Sequence, residues 1–546
     1  MDYDFIIIGG GSAGCVLANR LSARSDLKVC LLETGGRNQS PLIKTPLAIP
    51  LLFRIPKYNY GYETLVQPSQ ANRRIYNPRG RGLGGSSAIN AMLYIRGDRQ
   101  DYDDWAAQGN EGWSYDELLP YFKSIEHQQR IEDEYHGQGG ELNITDSRSN
   151  HPIGQEFIDA ALSLGYPFNP DFNGKQQSGI GRYQVTQKNG QRHSAADAFI
   201  YPLQQASSRK NLTVLSYSRV EKILFDGERA TGVRFQQNQL LESDKDNNKT
   251  VELRATKEVI VCAGAIHSPQ LLMVSGVGPK EQLDTLQIPI VKALEGVGKN
   301  LQDHPDVCLV NQQSRSDLIS ALPSSLWWLA KHAVEYVRQK RGIFTTSLVE
   351  TGGFIASKGL DHRPDIQWQF IAGAMDDHGR NLKMYGVQGT TLHTCILRPK
   401  SRGEIRLMSA DIATPPVIDS KMLTHPDDMA LMIEAVKLSR QVLSQPPLSA
   451  KNVKEIFPGE QVQSDEQIAN FIREKSNNIY HPVGTCKMGN DDMAVVDSTL
   501  KVRGLSGLRV IDASIMPTLV SGNTNAPTMM IAAKGADLIL ADYPEG

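Results

Sequence analysis

The sequence predicts a mixed α/β protein with more than one domain, on the strength of three features. Near its start, Phe5–Ile8 is apolar and mostly β-branched, which is typical of a strand buried on both faces. A small and apolar helical run, Cys15–Leu21, and a second apolar run, Leu27–Leu32, follow it. This strand–helix–strand order predicts a parallel sheet, and a length of 546 residues exceeds the usual size of one hydrophobic core.

Between the first strand and the helix, three glycines (Gly9, Gly11 and Gly14) spell G-x-G-x-x-G. Gly9 allows a tight turn, Gly11 lets the backbone approach a pyrophosphate, and Gly14 lets the helix pack closely on the strand. Glu33 lies just after the second strand, where an acid accepts hydrogen bonds from ribose hydroxyl groups. The stretch is therefore predicted to bind an ADP moiety, which leaves open whether the cofactor is a flavin or a nicotinamide dinucleotide.

Charge and cysteine content argue against several kinds of protein. A net charge of −2 gives no reason to expect a nucleic acid as a partner. The six cysteines include no C-x-x-C pair, which argues against a zinc ribbon or a disulfide framework and predicts reduced thiols in the cytoplasm. No metal site, signal peptide or membrane-spanning run is predicted. We therefore expect a soluble or at most peripheral protein.

Two interior stretches have the composition of cofactor contacts. Arg79–Gly97 is dense in glycine, so its backbone can lie against a flat or phosphorylated ligand. Its second half, Ala88–Ile95, is apolar and does not suit an exposed loop. Further along, the short strand Val259–Val261 runs into the small residues Cys262–Gly264 and a helical segment, which again suits close packing against a cofactor.

The remaining pattern is that of alternating short strands and helices. A helix start is predicted at Ser114–Glu117 and a helix at Met429–Leu443. Strands are predicted at Leu212–Leu215, Val220–Phe225, Gly403–Met408 and Val417–Ile418, with a polar turn at Asp244–Lys249.

An amphipathic helix is predicted at Ser325–Lys340, with Trp328, Ala333 and Val337 among its apolar positions and several basic residues. The favoured interpretation is a helix that faces the core. The alternative is a helix that rests on a membrane surface.

The C-terminal region has a second set of candidate cofactor contacts. Ile479–Gly489 reads IYHPVGTCKMG, and the strand Leu508–Ala513 ends at Asp512. A final helix is predicted at Met529–Leu540. A strand that ends in an acid, followed by a helix N-terminus, can contact a pyrophosphate from a second side.

Several motifs together make the chain resemble a known family, the glucose–methanol–choline oxidoreductases, flavoproteins that oxidise alcohols. The motifs are the N-terminal fingerprint with Glu33, RGRGLGGSSAIN, GAIHSPQLLMVSGVG, VGKNLQDH, YHPVGTCKMG and GNTNAPTMMIAAKGADLI. Within the family, the chain is most similar to the choline-dehydrogenase-like branch and its bacterial, membrane-associated dehydrogenases of aliphatic alcohols.

This resemblance implies a Rossmann-like FAD-binding domain and a second domain with an antiparallel sheet, each discontinuous in sequence. The FAD-binding domain is expected at residues 1–155, 204–310 and 470–546, and the substrate domain at 156–203 and 311–469.

The resemblance also implies FAD as the cofactor. Some relatives bind the flavin through a histidine before the asparagine of the glycine-rich motif; here that position is Ile89, so FAD is expected to be non-covalent. The expected cofactor-binding residues are Gly9, Gly11, Ser12, Ala13, Gly14, Glu33, Arg81, Gly84, Gly85, Ser86, Asn90, Ala91, Met92, Leu93, Val220, Ala263, Gly264, Asp512, Ala513, Asn523, Pro527 and Thr528.

His481 is the expected catalytic base, because it occupies the family's histidine position and its pKa suits proton exchange near neutral pH. Asn525 is expected to be the second polar residue that contacts the substrate oxygen. Asn523 competes for that role, although a capping role is favoured for it. His304 and His267 are expected to be structural.

We expect the substrate to be an uncharged primary alcohol that is oxidised to an aldehyde. No cluster of acids near the motifs suits choline, and Glu350 is a single candidate for the cavity. A quinone is the expected electron acceptor, on the inner face of the cytoplasmic membrane; oxygen is the rival. Other functions stay open. They are an oxidase, a choline dehydrogenase, a non-redox lyase of the hydroxynitrile type and, as the weakest alternative, a nicotinamide enzyme. The oligomeric state also stays open.

Overall fold

The computed structural model describes residues 2–206, 208–238 and 248–545, and its framework is two large sheets. The first sheet contains the predicted nucleotide-binding strands. Its path runs Leu212–Leu215, Val29–Leu32, Asp2–Ile8, Asn248–Val261, Arg229–Asn238 and Ser218–Asp226, and Leu508–Val510 also pairs with Asn248–Val261. Arg229–Asn238 pairs antiparallel with both of its neighbours, Asn248–Val261 and Ser218–Asp226. The other pairings are parallel. This is the expected Rossmann-like sheet, extended by an antiparallel hairpin.

The second sheet is antiparallel throughout its described pairings, as expected for the substrate domain. Its path runs Asn452–Phe457, Pro305–Gln313, Gly389–Ile396, Ile366–Ile371, Val349–Ile355 and Gly179–Arg182, and Asn477–Asn478 also pairs with Pro305–Gln313.

Helices and small strand pairs fill the space around the two sheets. The α-helices run over Ser12–Leu21, Pro41–Lys44, Ile49–Leu52, Arg99–Ala107, Tyr115–Ile125, Pro152–Ser163, Ala195–Phe199, Tyr201–Ala206, Gly264–Val274, Lys280–Thr285, Pro323–Gln339, Pro426–Leu443, Asp465–Lys475 and Asn525–Asp542. The short strands are Tyr62–Glu63 with Tyr76–Asn77, Leu142–Asp146 with Glu126–Gln128 and Gln184–Val185, Gln187–Lys188 with Gln191–Arg192, Val277–Gly278 with Lys292–Ala293, and Glu404–Arg406 with Val417–Asp419.

Some predicted elements differ from the structure in length. The short strand predicted at 259–261 is the end of a fourteen-residue strand, Asn248–Val261, whose polar first half forms a hairpin with Arg229–Asn238. Residues 244–247 of the predicted polar turn lie outside the described residues. The final helix begins four residues earlier than predicted, at Asn525, so the residues of its first turn are helical rather than part of a loop.

The expected domain boundaries fall inside four structural elements. Each of these elements buries its apolar side chains in one hydrophobic core. Pro152–Ser163, Pro305–Gln313 and Asp465–Lys475 bury theirs in the core of the antiparallel sheet. The helices from Ala195 to Ala206 bury theirs against the first sheet.

The helix Pro323–Gln339 packs one face on the protein, where the ring centroids of Trp328 and His151 are 6.0 Å apart, and leaves apolar side chains exposed on the other face. Trp327 is 79% exposed and Val337 72% exposed, whereas only Ser325 and Tyr336 are buried. No helix among the described residues is long and apolar enough to cross a membrane.

Candidate active site

A cavity of about 530 Å³ lies between the glycine turn of the first sheet and the polar face of the second. Most of the residues that were predicted from the sequence line it. They are Gly9, Gly11, Ser12, Ala13, Glu33, Arg81, Gly85, Ser86, Asn90, Ala91, Met92, Leu93, Val220, Ala263, Gly264, His481, Asp512, Ala513, Asn523, Asn525 and Thr528.

Three predicted cofactor-binding residues are not among those that line the cavity, and the structure shows what each of them packs against. A Cβ atom at Gly14 would lie 1.9 Å from the Gly9 carbonyl oxygen, so this glycine lets the helix lie against the turn. The Gly84 amide donates to the Gly10 carbonyl at 2.7 Å. Pro527 is buried in the first turn of the final helix.

Two helix N-termini open on this cavity. The helix Ser12–Leu21 starts at Gly11 with no side-chain cap and no acid in its first turn, and the helix Asn525–Asp542 likewise has neither. The Ser12 hydroxyl donates to Asn525 Oδ1 at 2.7 Å, which holds the two N-termini side by side. Free amide groups and two positive dipole ends fit the pyrophosphate of a dinucleotide.

Glu33 ties the glycine turn to the glycine-rich loop. Its Oε2 accepts from the Gly10 amide at 2.9 Å, and its Oε1 accepts from the amides of Gly35 at 2.7 Å and Gly82 at 3.0 Å. The carboxylate also lines the cavity, so the predicted contact with a ribose stays compatible with its position.

On the other side, Asp512 organises the start of a second helix. Its Oδ2 accepts from the Gly264 amide at 2.8 Å and the Ser268 hydroxyl at 2.5 Å, and its Oδ1 accepts from the Ser514 amide at 2.8 Å. Burial raises the pKa of the Asp512 carboxyl. The Asp512 carboxylate and its three donors therefore meet just after the strand Leu508–Val510 ends.

Arg192 is a supporting residue that sequence reasoning missed. Its Nη1 donates to Asn90 Oδ1 at 2.8 Å and to the Ser87 carbonyl at 3.2 Å, and burial lowers its pKa to about 9. It lies about one hundred residues from the loop that it holds, so no local pattern could have identified it.

The expected base, His481, faces an amide. Its Nε2 lies 3.2 Å from Asn523 Nδ2, and its backbone amide donates to Asp303 Oδ1 at 2.8 Å. Gln367 Nε2 donates to Asn523 Oδ1 at 3.3 Å, which orients the Asn523 amide with its NH₂ group toward the imidazole. Because that NH₂ group can only donate, His481 Nε2 is the acceptor and the ring proton is assigned to Nδ1.

Burial lowers the pKa of His481 well below 6.5, and the neighbouring His304 and Arg79 lower it further. Burial also raises the pKa of the nearby Asp303 to about 7. The imidazole is therefore neutral at neutral pH and can take up a proton.

The two asparagines of the final motif have different neighbours. Asn523 contacts His481, whereas Asn525 is the first residue of the final helix and accepts from Ser12. The helix N-cap is Thr524 and carries no side-chain cap, so Asn523 does not cap the helix. The two asparagines are only two residues apart, and the chain direction before the helix decides which one faces the imidazole.

The two other histidines of the family motifs differ from each other. His304 is fully buried, and its Nε2 lies 3.1 Å from the Val520 carbonyl; burial lowers its pKa to about 3. His267, in contrast, lines the cavity, with Nε2 2.5 Å from the Tyr62 hydroxyl. A purely structural role was predicted for both, and the position of His267 does not match it.

The far end of the cavity comes from segments without a motif and was not predicted. Its walls are mostly apolar, with two histidines among them: Ile49, Phe53, Leu348, Val349, Ile371, Met375, His378 and His393. Glu350 does not line it, because its Oε2 accepts from the His151 amide at 3.1 Å on the other side of the strand. Among the described residues, the carboxylates that line the cavity are Glu33 and Asp512.

Comparison with known proteins gives two matches to one family. Two family models, both described as GMC oxidoreductase, match residues 3–306 and 399–532. The chain is 44% identical over 543 residues to an alcohol dehydrogenase (acceptor) of Pseudomonas putida, covering 98% of this chain and 96% of that protein. It is 42% identical over 552 residues to an oxygen-dependent choline dehydrogenase of Yersinia pseudotuberculosis, covering 100% of this chain and 94% of that protein.

Solved structures are similar over nearly the whole chain. A pyridoxine 4-oxidase from Mesorbium loti superposes with a TM-score of 0.87 at 31% identity, covering 98% of both chains. An FAD-dependent oxidoreductase from Chaetomium thermophilum superposes with a TM-score of 0.86 at 28% identity, covering 99% of both chains.

Proposed function

The chain belongs to the GMC oxidoreductase family, and we propose that it oxidises an uncharged primary alcohol to the aldehyde and passes the electrons to a membrane quinone. It is an FAD-dependent enzyme that acts on an alcohol with an acceptor other than NAD. The observation that carries the proposal is the neutral His481 beside Asn523, in the same cavity as the two helix N-termini.

The chain's own residues supply the proton chemistry. An alcohol oxygen that enters between the two side chains accepts a hydrogen bond from Asn523 Nδ2 and donates its own to His481 Nε2. His481 then takes up the hydroxyl proton at Nε2, while Asn523 stabilises the charge that develops on oxygen. A bound FAD would supply the acceptor for the hydride of the alcohol carbon. We therefore propose His481 as the base and Asn523, in place of Asn525, as the donor.

The composition of the cavity supports an uncharged substrate. Burying a quaternary ammonium without an opposite charge is costly, and both lining carboxylates are already engaged with backbone amides near the expected ADP site. The walls around Phe53 and Met375 are apolar and suit an aliphatic or aromatic chain instead.

An exposed apolar helix supports a membrane location. Leu326, Trp327, Val334 and Val337 on Pro323–Gln339 are each more than half exposed. Basic residues occupy the same helix and the residues after it: Lys331, Arg338, Lys340 and Arg341. Such a helix fits an anionic membrane surface, and the chain that follows it lines the cavity at Ser347–Val349. We propose a cytoplasmic enzyme on the inner face of the membrane, with oxygen as the rival acceptor.

The test is anaerobic mixing of the FAD-loaded protein with short and long primary alcohols, an aromatic alcohol, choline and a sugar, while the visible flavin absorption is followed. We expect the uncharged primary alcohols to bleach it and choline not to. Bleaching by choline alone would contradict the uncharged substrate. No bleaching by any compound would favour a lyase in which the flavin is structural.

The same reduced samples test the acceptor. They are divided between air and an anaerobic solution of a soluble quinone analogue, and we expect the quinone to restore the colour faster. Rapid return of the colour in air, with one hydrogen peroxide formed for each alcohol oxidised, would identify an oxidase instead.

A further inference from the structure

We propose that a cluster in the wall of the substrate cavity is a binding site for a thiophilic divalent cation, for which Zn²⁺ is the probe. Three of its ligands are Asp306, Cys308 and His393, whose ligand atoms all lie within 4.8 Å of one another, and His378 is the candidate fourth. All four lie outside every motif from which the site was predicted, and the cluster plays no part in the proton chemistry described above.

The antiparallel sheet brings three of these residues to one face. Asp306 and Cys308 are two residues apart on the strand Pro305–Gln313, so their side chains point to the same side. His393 lies directly opposite Cys308 on the neighbouring strand. His393 and His378 both line the cavity, so this face of the sheet is the one turned toward the substrate.

The spacing of the ligand atoms suits a tetrahedral cation. His393 Nδ1 lies 2.7 Å from Asp306 Oδ2 and 3.3 Å from Cys308 Sγ, and His378 Nε2 lies 4.0 Å from Asp306 Oδ2. Ligand atoms around a tetrahedral zinc ion are roughly 3.3–3.6 Å apart, given its usual bond lengths. Cys308 Sγ also lies 3.6 Å from His393 Nε2, so the His393 ring would rotate and His378 would move closer for all four groups to bind one cation.

Two polar atoms of the cluster are buried and have no hydrogen-bond partner. They are Asp306 Oδ1 and His378 Nε2, and leaving such groups buried and unpaired costs about 1–3 kcal/mol each. A bound cation would give His378 Nε2 a partner.

The backbone supports the same conclusion. Asp377 and His378 both adopt left-handed conformations, with φ values of +49° and +52°. Consecutive non-glycine residues in that region cost conformational energy. Here the bend turns the His378 ring toward Asp306.

The donor set selects the kind of cation. One thiolate, two imidazoles and one carboxylate suit Zn²⁺ or Co²⁺, whereas Ca²⁺ and Mg²⁺ prefer oxygen ligands. A second cluster, Asp133, His136 and Asp171, has no thiol. Both ring nitrogens of His136 are already paired at 2.9 Å, with Glu126 and Asp171. An absorption band that requires a thiolate ligand therefore distinguishes the two clusters.

A bound cation would affect catalysis, and this consequence rests on the proposed function. Because His378 and His393 line the cavity, the cation would lie in its wall, displace the Cys308 thiol proton and fix both imidazoles where the alcohol chain passes. We expect Zn²⁺ to raise the KM for the alcohol with little change in kcat, and a chelator to reverse the effect.

The test uses the FAD-loaded protein after chelation and removal of metals. Co²⁺ is added first, and the expected result is the long-wavelength absorption of a tetrahedral cobalt–thiolate centre, at wavelengths where the flavin does not absorb. Zn²⁺ should then displace one Co²⁺ per chain, measured by competition with a coloured chelator.

Variants identify the ligands. Cys308→Ser and His393→Gln should each weaken Zn²⁺ binding on the order of 100-fold, more than the loss of a supporting residue around a metal site. Cys395→Ser is the matched control, because Cys395 is also buried on the neighbouring strand yet contacts Gln367 rather than a histidine. Its Zn²⁺ affinity should equal that of the wild type.

The proposal is overturned if the wild-type protein gives no cobalt–thiolate absorption, or if Cys308→Ser keeps the wild-type affinity. If one variant fails to fold, the wild-type cobalt spectrum and the Zn²⁺ affinity of the other variant still test the proposal. If Zn²⁺ binds without inhibition, only the expected effect on KM is overturned and the metal site stands. Since the spectrum needs no turnover, an inactive protein that binds Co²⁺ would contradict the proposed function and leave the metal site standing.

Discussion

At the scale of single residues, the protonation state of His481 decides what the site can do. Its ring is buried between His304 and Arg79, and this environment keeps it neutral. Asn523 holds the NH₂ group of its amide toward the same nitrogen that would take the proton. The pair thus supplies one base and one donor to a single oxygen atom.

The activity should depend little on pH around neutrality. The pKa of His481 is lowered, so the neutral base persists as the pH falls through 6.5, the ordinary pKa of histidine. We expect kcat/KM to stay constant through that value and to fall only at lower pH. A pH profile of kcat/KM with a saturating acceptor measures this in the wild type and in Asp303→Asn, because the Asp303 carboxyl has a pKa of about 7 and accepts from the His481 amide. A decline centred at 6.5 in both proteins would contradict the assigned environment.

Replacing His481 should remove the base and leave the cofactor. His481→Ala is expected to lower kcat by about 10²–10⁴-fold, the usual contribution of a general base. The FAD content should equal that of the wild type, because the predicted pyrophosphate contacts are the helix N-termini at Ser12 and Asn525 and do not include the His481 side chain. Stopped-flow flavin reduction measures the rate, and near-wild-type reduction would mean that the base is elsewhere.

Replacing Asn523 and replacing Asn525 should affect different properties of the enzyme. Asn523→Ala is expected to slow flavin reduction by about 10²-fold or more, as for loss of one donor to a developing oxyanion. Asn525→Ala should instead weaken FAD retention, because Asn525 holds the Ser12 hydroxyl between the two helix N-termini. Reduction rates and FAD dissociation constants, measured on both variants, check this, and the reverse pattern would restore Asn525 as the catalytic donor.

At the scale of elements, the N-termini of two helices form the expected cofactor site. Ser12–Leu21 and Asn525–Asp542 both begin without a side-chain cap, and their N-termini are held together by one hydrogen bond. Uncapped amides at a buried helix start need a partner. A bound pyrophosphate is the partner that the family's cofactor provides.

The exposed helix Pro323–Gln339 should mediate binding to membranes. The double variant Trp327→Gln/Val337→Gln is expected to lower the affinity for vesicles of phosphatidylglycerol and phosphatidylethanolamine by about tenfold or more, since each side chain loses the free energy of apolar burial. Vesicle co-sedimentation measures the affinity, and the Trp327 contribution to fluorescence should shift to shorter wavelength on binding.

Two controls accompany this experiment. Met408→Gln/Ile290→Gln changes two exposed apolar residues outside the helix and should bind vesicles as the wild type does. Vesicles of phosphatidylcholine lack the negative charge and should bind all forms more weakly. Equal binding of both double variants would remove the helix from the membrane proposal.

At the scale of the whole molecule, the cavity exists because two sheets meet. The parallel sheet supplies the nucleotide end through its strand termini, and the antiparallel sheet covers the other end with Gln369, Ile371 and His393. Neither sheet alone encloses the site. Gln367 on the antiparallel sheet and Asn523 before the final helix therefore come into contact.

The cofactor should be held by this enclosure rather than by a covalent bond. Ile89 lines the cavity where some relatives carry the histidine that links to the flavin, and an alkyl side chain cannot form that link. Precipitation with trichloroacetic acid should release the flavin into the supernatant, where absorbance quantifies it. A yellow pellet would show a covalent link through another residue.

Much of this architecture could be predicted from the sequence because its signals are local. The strand Asp2–Ile8, the glycine turn and Glu33 follow from the pattern of neighbouring residues, and the structure contains each of them. The helix Pro323–Gln339 was likewise predicted as a helix, but its periodicity cannot say whether its apolar face meets the core or the solvent. Arg192 and the cluster around Asp306 had no local signal at all.

The sequence by itself determined the family, the cofactor, the two kinds of sheet and the position of His481, because short motifs of fixed spacing encode them. Only the tertiary structure decided that Asn523 faces His481 while Asn525 joins Ser12, that Glu350 points away from the cavity, and that His393 meets Asp306. These contacts depend on how distant strands register and how loops enter helices. Side-chain directions are set by that packing and not by the order of residues along the chain.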